Sequence, residues 1–442
     1  MPPLSSPRIL TKTLHKQLLS CPRKSLYLLS PSLYPPSPPP PILSHLSAEA
    51  ARFRSHCLEL YPSRIPASSL PPSRLLSLTS PPTAHPPYAG ATLLAATCPA
   101  TCPSGPLLAA VDLLLFPDPA RVEVLAVRSR SYRSASGLRT KKGSLAAKYR
   151  GLVQDLAFQA YLAGLCYPGR SVGSFLLLPD AGKALEAGGS AAARVDVTED
   201  VRAILASPAF PALLARQRRY LDEPEEAPAA PSAACGECVF RARLRECVSP
   251  GEPLAGSGPL SLSLRGSRRH ESFLPHKPYL SDLVPGVDYD LPSPSPPPGG
   301  FTAADLHHLQ ATSSPPALNL PYLAPALAGL TPPYHYLDFE TASPCLPLSP
   351  GFRPYQLLPF QFSLHVSGGG AALGELRHTQ FVDTTSEDPA PRFKEALGAA
   401  LGGGRGSIVH WGKFERTVLE KLGFGEDVLA RLVDLSVLVK KG

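Results

Sequence analysis

The sequence predicts an α/β protein made of two folded regions joined by proline-rich linkers. Three observations carry this reading. An apolar strand pair followed by a long helix occupies the first half, strand and helix signals alternate from Tyr334 onward, and chain-breaking residues concentrate elsewhere. With 55 prolines and 34 glycines in 442 residues, and only 18% of residues charged, the folded portion is smaller than the length suggests.

Thr11 to Leu29 reads as a basic amphipathic helix interrupted at Cys21-Pro22, because proline removes a backbone donor. Pro31 to Pro41, the core of a proline-rich insert over 31–43, cannot hold regular hydrogen-bonded structure. A helix resumes from Ser47 to Leu60, where Ala50, Phe53, Cys57 and Leu60 share one face as core residues before Pro62 closes it. Leu107 to Phe116 and Arg121 to Arg128 form a strand pair around Pro117-Asp118-Pro119, with Asp112 the only charge in the first strand. Leu145 to Leu165 is a long helix whose Asp155 and Gln159, four apart, project from the same face.

Asp222 to Ala234 and Leu291 to Gly300 are breaker-rich stretches, which divides the chain into a domain over 1–250, a largely irregular linker over 251–330 and a domain over 331–442. The last domain alternates: strands at Tyr334 to Glu340 and Gln361 to Val366, a helix at Pro391 to Leu401, and a strand at Ser407 to Trp411. Helices at Phe414 to Leu422 and Val428 to Lys440 complete it. This order suits a mixed sheet.

No apolar run reaches membrane-spanning length, since Pro106 to Phe116 is short and contains Asp112, so the expectation is a soluble intracellular protein without a membrane partner. Nine cysteines is an odd number and no secretory signal precedes them, which argues against a disulfide framework and for reduced thiols or metal ligands. The acid-free start, ending at Glu49, has the composition of an organellar transit peptide, an alternative to a folded beginning.

Lys and Arg number 43 against 35 Asp and Glu, and the excess is local: from Arg121 to Arg150 nine basic residues face one acid, Glu123. Arg128, Arg130, Arg133, Arg139, Lys141 and Lys142 are candidates to contact the phosphates of DNA or RNA, with Tyr132 and Tyr149 available to stack on bases. A solvated surface loop is the competing reading.

Asp338 and Glu340, two apart on a strand, point to one face and offer hard oxygen ligands to Mg²⁺ or Mn²⁺. Two such ions activate water and stabilise the leaving oxygen of a phosphodiester. An ordinary charged strand end carries the same pair.

The run Tyr336-Leu337-Asp338-Phe339-Glu340-Thr341, followed by Arg353-Pro354-Tyr355-Gln356 and Pro359-Phe360-Gln361-Phe362-Ser363-Leu364-His365, resembles the domain called domain of unknown function 2779. Gly406-Ser407-Ile408-Val409, Phe414-Glu415 and Val433-Asp434-Leu435 extend the likeness. This family looks related to the DEDD exonucleases of the ribonuclease-H-like fold. The resemblance implies that Asp338 and Glu340 are the first metal-binding pair and Glu415 the second-motif carboxylate, with Asp434 a further candidate. His410-Trp411 departs from the family's Tyr-Asn. Such domains continue to a last carboxylate, so the resemblance implies an incomplete domain at Lys440-Lys441-Gly442.

The same family carries a RecB-like domain, of the restriction-endonuclease type, upstream. Thr11-Lys12-Thr13-Leu14 through Cys21-Pro22-Arg23-Lys24-Ser25-Leu26 resembles its opening, which favours a folded start over a transit peptide. The resemblance implies a metal-binding Asp, then a Glu-x-Lys on the next strand, then a helix carrying Gln. Asp112 fits the Asp, and Asp155, Gln159 and Tyr161 fit the helix. Ala126-Val127-Arg128 replaces the Glu-x-Lys, and Leu93-Leu94-Ala95-Ala96 stands where an upstream glutamate is expected. Arginine does not give up its proton at neutral pH, so Arg128 is expected to bind phosphate and not to activate water, in a degenerate nuclease domain.

Cys235-x2-Cys238-x8-Cys247 with Cys21 resembles the four-cysteine iron-sulfur arrangement of RecB-like, CRISPR-associated-exonuclease-like domains, which implies a [4Fe-4S] cluster joining both ends of the domain; zinc is the alternative. Cys98-x3-Cys102 reads as a loop feature. The expected function is metal-dependent phosphodiester hydrolysis by an exonuclease. The alternatives are a non-catalytic nucleic-acid-binding protein on decayed nuclease domains, or a fragment of a longer gene product whose missing exon supplies the last motif.

Overall fold

A computed structural model of the chain describes residues 8–38, 41–62, 65–66, 85–89, 92–95, 105–229, 235, 238–240, 247, 320–368, 376–385 and 387–441. Cys98, Cys102 and the Leu291 to Gly300 stretch lie outside the described residues. The chain divides into two units: residues 1–254 with 344–355, and residues 255–343 with 356–442.

Unit 1 opens with β1 (Leu10–Thr11), α1 (Lys12–Ser20) and α2 (Lys24–Leu29). Thr11 caps α1 by accepting the Leu14 amide at 3.1 Å, and the expected break falls at Cys21, which is extended. α3 (Pro41–Glu59) begins earlier than the sequence suggests. Phe53 and Cys57 are buried on it, whereas Leu60 falls just past its end and is exposed.

The strands β2 (Ile65–Pro66), β3 (His85–Ala89), β4 (Thr92–Ala95), β5 (Leu107–Ala110), β6 (Leu113–Asp118) and β7 (Arg121–Val127) follow. After them come α4 (Ala135–Leu138), α5 (Ala147–Cys166), β8 (Ser171–Pro179), β9 (Ala192–Asp196), α6 (Thr198–Ala206) and α7 (Ala209–Asp222). They build a six-stranded sheet in the order β2-β3-β6-β7-β8-β9 and a three-stranded sheet in the order β1-β5-β4. The single strand expected over Leu107 to Phe116 is therefore two strands in two sheets, parted at Val111 and Asp112. The Asp112 carboxylate accepts the Val127 amide of β7 at 3.0 Å, a tertiary contact that no local pattern announces.

β7 runs parallel to β8, and α5 provides the crossover between them. Alternation along β7 serves two faces: Val122, Val124 and Ala126 pack with Leu156, Phe158 and Leu176, while Leu125 and Val127 pack with Phe53, Phe175 and Leu177. His15 of α1 stacks on Phe158 of α5 at 4.4 Å and meets Gln217 of α7 at 2.7 Å through Nδ1 and Oε1, which ties three helices together.

Unit 2 contains α8 (Leu320–Ala328), β10 (Tyr334–Ala342), β11 (Leu358–Ser367), β12 (Leu376–Val382), α9 (Ala390–Leu401) and β13 (Ile408–His410). α10 (Phe414–Lys421), α11 (Glu426–Leu429), β14 (Leu432–Asp434) and α12 (Leu435–Lys441) complete it. The sheet order is β12-β11-β10-β13-β14. β10, β11 and β12 form an antiparallel meander, whereas β13 is parallel to β10 and β14 is parallel to β13. Leu337, Phe339, Phe362, Leu364, Phe393 and Leu397 fill the core, and Phe393 meets Phe339 edge-on at 5.2 Å. Burying each of the larger side chains contributes roughly 1.5–3 kcal/mol.

The helix predicted over Val428 to Lys440 is corrected here, because Leu432–Asp434 is a strand paired with Ile408–His410. Periodicity in so short an apolar run does not separate helix from strand, and the pairing partner decides. β12 was not anticipated, because its side chains are largely exposed and so show no apolar alternation. Among the described residues no helix is long and apolar enough to cross a membrane.

Candidate functional site

Along β10, His335, Leu337 and Phe339 are buried while Tyr336, Asp338 and Glu340 are exposed, so the two carboxylates and a tyrosine share one face of the central strand. β13 pairs with β10 only as far as Tyr336 and Val409, and past His410 the chain leaves the sheet beside the level of Asp338. Trp411 and Phe414, at 61% and 42% exposure, flank that exit.

Glu415 lies in the first turn of α10, where the helix dipole favours an acid, yet it is only 4% exposed. Its Oε2 and the Nδ1 of His410 are 3.4 Å apart, and neither atom has a hydrogen-bond partner. Burial pushes the Glu415 carboxyl above the ordinary glutamate value; the charge of Asp338 adds to the shift and His410 opposes it.

Asp434 is committed otherwise. Its Oδ1 accepts the amides of Gly412 and Ser436, both at 2.8 Å, which anchors the turn after β13 and the start of α12. Burial opposes its charge, but the Ser436 hydroxyl and these two amides outweigh burial and hold the carboxyl below its ordinary value. The fold thus gathers Asp338, Glu415, His410 and Asp434 around one exit from the sheet. Among the described residues no three His, Cys, Asp or Glu side chains converge closely enough to hold a metal ion.

In unit 1, Asp112, Arg128, Asp155 and Gln159 come together. Arg128 Nη1 donates to Asp112 Oδ2 at 2.8 Å, and its Nη2 donates to Asp155 Oδ2. Arg54 Nε donates to Asp112 Oδ1 at 2.7 Å, and Gln159 Nε2 donates to Asp155 Oδ2 at 3.3 Å. Asp155 Oδ1 and Gln159 Oε1 are buried without a hydrogen-bond partner. Burial works against both charges, yet the mutual attraction holds Asp112 below and Arg128 above their ordinary values. This arrangement does not fit a bound divalent ion, because a cationic side chain already spans the two acids.

The basic run is not one surface. Arg121 and Arg194 converge on Glu123 at 3.0 and 2.6 Å, and Arg139 pairs with Asp200 at 2.8 Å. Arg130, Arg133, Lys141 and Lys142 are exposed. Tyr149, expected to stack on bases, is fully buried with its hydroxyl donating to the Ser131 carbonyl at 2.8 Å, because it lies on the inward face of α5. Tyr132 is half-buried against the core.

Cys21, Cys235, Cys238 and Cys247 are all half-buried thiols. Cys247 Sγ is 3.1 Å from the Tyr27 hydroxyl, and Cys238 Sγ accepts the Phe240 amide at 3.4 Å. Burial raises the Cys247 thiol to about 11; the Tyr27 hydroxyl lowers it, and Cys21, Cys238 and Cys235 raise it further. Residues far apart in sequence therefore act electrostatically on Cys247, beside Leu26, Tyr27 and Phe240, but the four thiols, all among the described residues, do not converge as a ligand set.

Residues 335–442 match the family model described as Domain of unknown function (DUF2779). No curated protein matches the chain. A solved structure titled "Crystal structure of SSO0001" is similar at 13% identity with a TM-score of 0.26, covering 54% of this chain and 86% of that one.

Proposed function

We propose that unit 2 hydrolyses phosphodiester bonds of nucleic acid with the help of a divalent cation, as a ribonuclease-H-like exonuclease does. The observation that carries this reading is the Glu415 carboxylate, buried with an Oε2 that has only the long 3.4 Å contact with His410 Nδ1, and under the influence of Asp338. A buried acceptor left unsatisfied costs about 1–3 kcal/mol, and a cation held by the acid relieves that cost. The sheet supports the reading too, with an acid-bearing central strand, an antiparallel meander on one side and parallel strands on the other.

Asp338, Glu340 and Glu415 would hold Mg²⁺ or Mn²⁺; carboxylates are the donor class such hard ions take. Asp338 and Glu340 are exposed, so they would be the groups that move to complete the set. When bound, the ion supplies an activated water and stabilises the leaving oxygen. His410 acts as a positioning residue that steadies Glu415, and Asp434 fixes the turn that carries His410 into α10. Tyr336, Trp411 and Phe414 offer aromatic faces on which bases can stack beside the acids.

The test is nucleotide release from labelled single- and double-stranded DNA and RNA with Mg²⁺ or Mn²⁺. Release that Asp338→Ala abolishes is expected; no degradation of any strand with either ion overturns the proposal.

A second reading, nucleic-acid binding by unit 1, is favoured by the exposure of Arg130, Arg133, Lys141 and Lys142. Binding should weaken steeply with salt, and Lys141→Glu with Lys142→Glu should flatten that dependence. Cys21, Cys235, Cys238 and Cys247 are proposed ligands of a [4Fe-4S] cluster or of zinc, supported by the electrostatic effect of the other three on Cys247. Iron, sulfide and zinc contents of the purified protein, compared with Cys247→Ser, check this.

A further inference from the structure

We infer that Arg128 is a built-in replacement for a bound cation: its guanidinium neutralises Asp112 and Asp155 together, and unit 1 holds these two acids in its fold with no divalent ion. Asp112 lies between β5 and β6 and Asp155 on α5, and both are buried, at 9% and 5% exposure. Two buried carboxylates brought together from separate elements repel each other and need a positive charge between them. The planar fork of Arg128 supplies it, with one terminal nitrogen on each acid and Nη1 also donating to the Val127 carbonyl at 2.7 Å. Lysine, with one terminal nitrogen, cannot span two acids in this planar way.

Two further facts exclude a divalent ion from the same place. First, the oxygens of Asp112 are taken: Oδ1 accepts from Arg54, and Oδ2 accepts from the Val127 amide and from Arg128. Asp155 Oδ1 and the neighbouring Gln159 Oε1 are the oxygens left without a donor, and two are too few for a hard cation, which requires several. Second, the surroundings are cationic. Arg54 and Lys12 both act electrostatically on this pair along with Arg128, and Lys12 Nζ is held by the Ala110 carbonyl at 2.7 Å. Three cationic side chains facing two carboxylates leave an excess of positive charge that disfavours an incoming divalent ion. The cluster is a polar network that joins the β5–β6 junction, β7, α3 and α5. Its role is to hold the unit together.

The experiment uses the full chain in an Asp338→Ala, Glu340→Ala background, so that the outcome for unit 1 is independent of whether unit 2 binds metal. In that background the thermal midpoint should not respond to Mn²⁺. Arg128→Ala should lower the midpoint, and Arg128→Ala with Arg54→Ala, which frees both acids from their guanidinium partners, should create an ion site. Mn²⁺ at a hundredfold excess over its Kd should then raise the midpoint of that double variant by about 5–10 °C. Adding Asp155→Asn to the double variant should remove that response. A folded double variant whose midpoint ignores Mn²⁺ overturns the inference, as does a Mn²⁺ response in the background protein that Asp112→Asn removes. If the double variant yields no folded protein with or without Mn²⁺, Arg128→Lys decides. A lowered midpoint supports the inference, and an unchanged midpoint overturns it.

Discussion

Glu415 Oε2 and His410 Nδ1 stand 3.4 Å apart in the interior of unit 2, each without a hydrogen-bond partner. Both are held there by the turn that leaves β13 and enters α10, so the conformation of that turn decides how the proposed acid site is assembled.

Glu415 makes stability depend on pH in a defined direction. Its carboxyl is raised in the fold, so between the ordinary glutamate value and the raised one the native state binds more protons than the unfolded chain. Stability therefore falls as pH rises through that window. Glu415→Gln removes the penalty, so without metal the variant should melt higher than the parent at neutral pH, with the difference shrinking below the ordinary glutamate value. Mn²⁺ should raise the parent's midpoint and leave that of Glu415→Gln unmoved. A difference that does not vary with pH contradicts this assignment.

Asp434 is a cap more than a ligand. Asp434→Ala leaves the Gly412 and Ser436 amides without an acceptor and should cost unit 2 about 1–2 kcal/mol, whereas Asp434→Asn, which keeps an acceptor oxygen, should cost less. Its lowered carboxyl makes the contribution present above the ordinary aspartate value and lost as pH falls through the folded one. Urea denaturation of the two variants at neutral and acid pH measures both effects; equal losses for Ala and Asn would show that the hydrogen bonds are not the cause.

Gly406 enters β13 with φ +83°, and a Cβ there would lie 2.0 Å from the Pro333 carbonyl oxygen. Gly406→Ala should therefore destabilise unit 2 by about 1–3 kcal/mol or more, through strain at positive φ and displacement of backbone. A midpoint within experimental error of the parent's would refute the close approach.

Trp411 is 61% exposed and has little folding role to lose. Trp411→Ala should leave thermal stability nearly unchanged while weakening single-stranded nucleic-acid binding by about 1–3 kcal/mol, the loss of one stacking surface. Fluorescence anisotropy with a labelled oligonucleotide checks it, and unaltered affinity removes Trp411 from the binding surface.

Local chemistry made much of this protein legible in its sequence. Alternation along Tyr334–Ala342 sets Asp338 and Glu340 on one exposed face, Cys21-Pro22 breaks the first helix, and the spacing of Asp155 and Gln159 brings their side chains into contact. These features depend on the periods of strand and helix and on proline, all of which act over a few residues. Long-range pairing decided the rest. The division of Leu107 to Asp118 between two sheets, the strand at Leu432–Asp434 and the pairing of Arg139 with Asp200 depend on groups distant in the chain. The same holds for Arg128, which its own strand presents as a free cation and which the fold neutralises with Asp112 and Asp155, because a charge taken into the interior must find its partner wherever the fold supplies one.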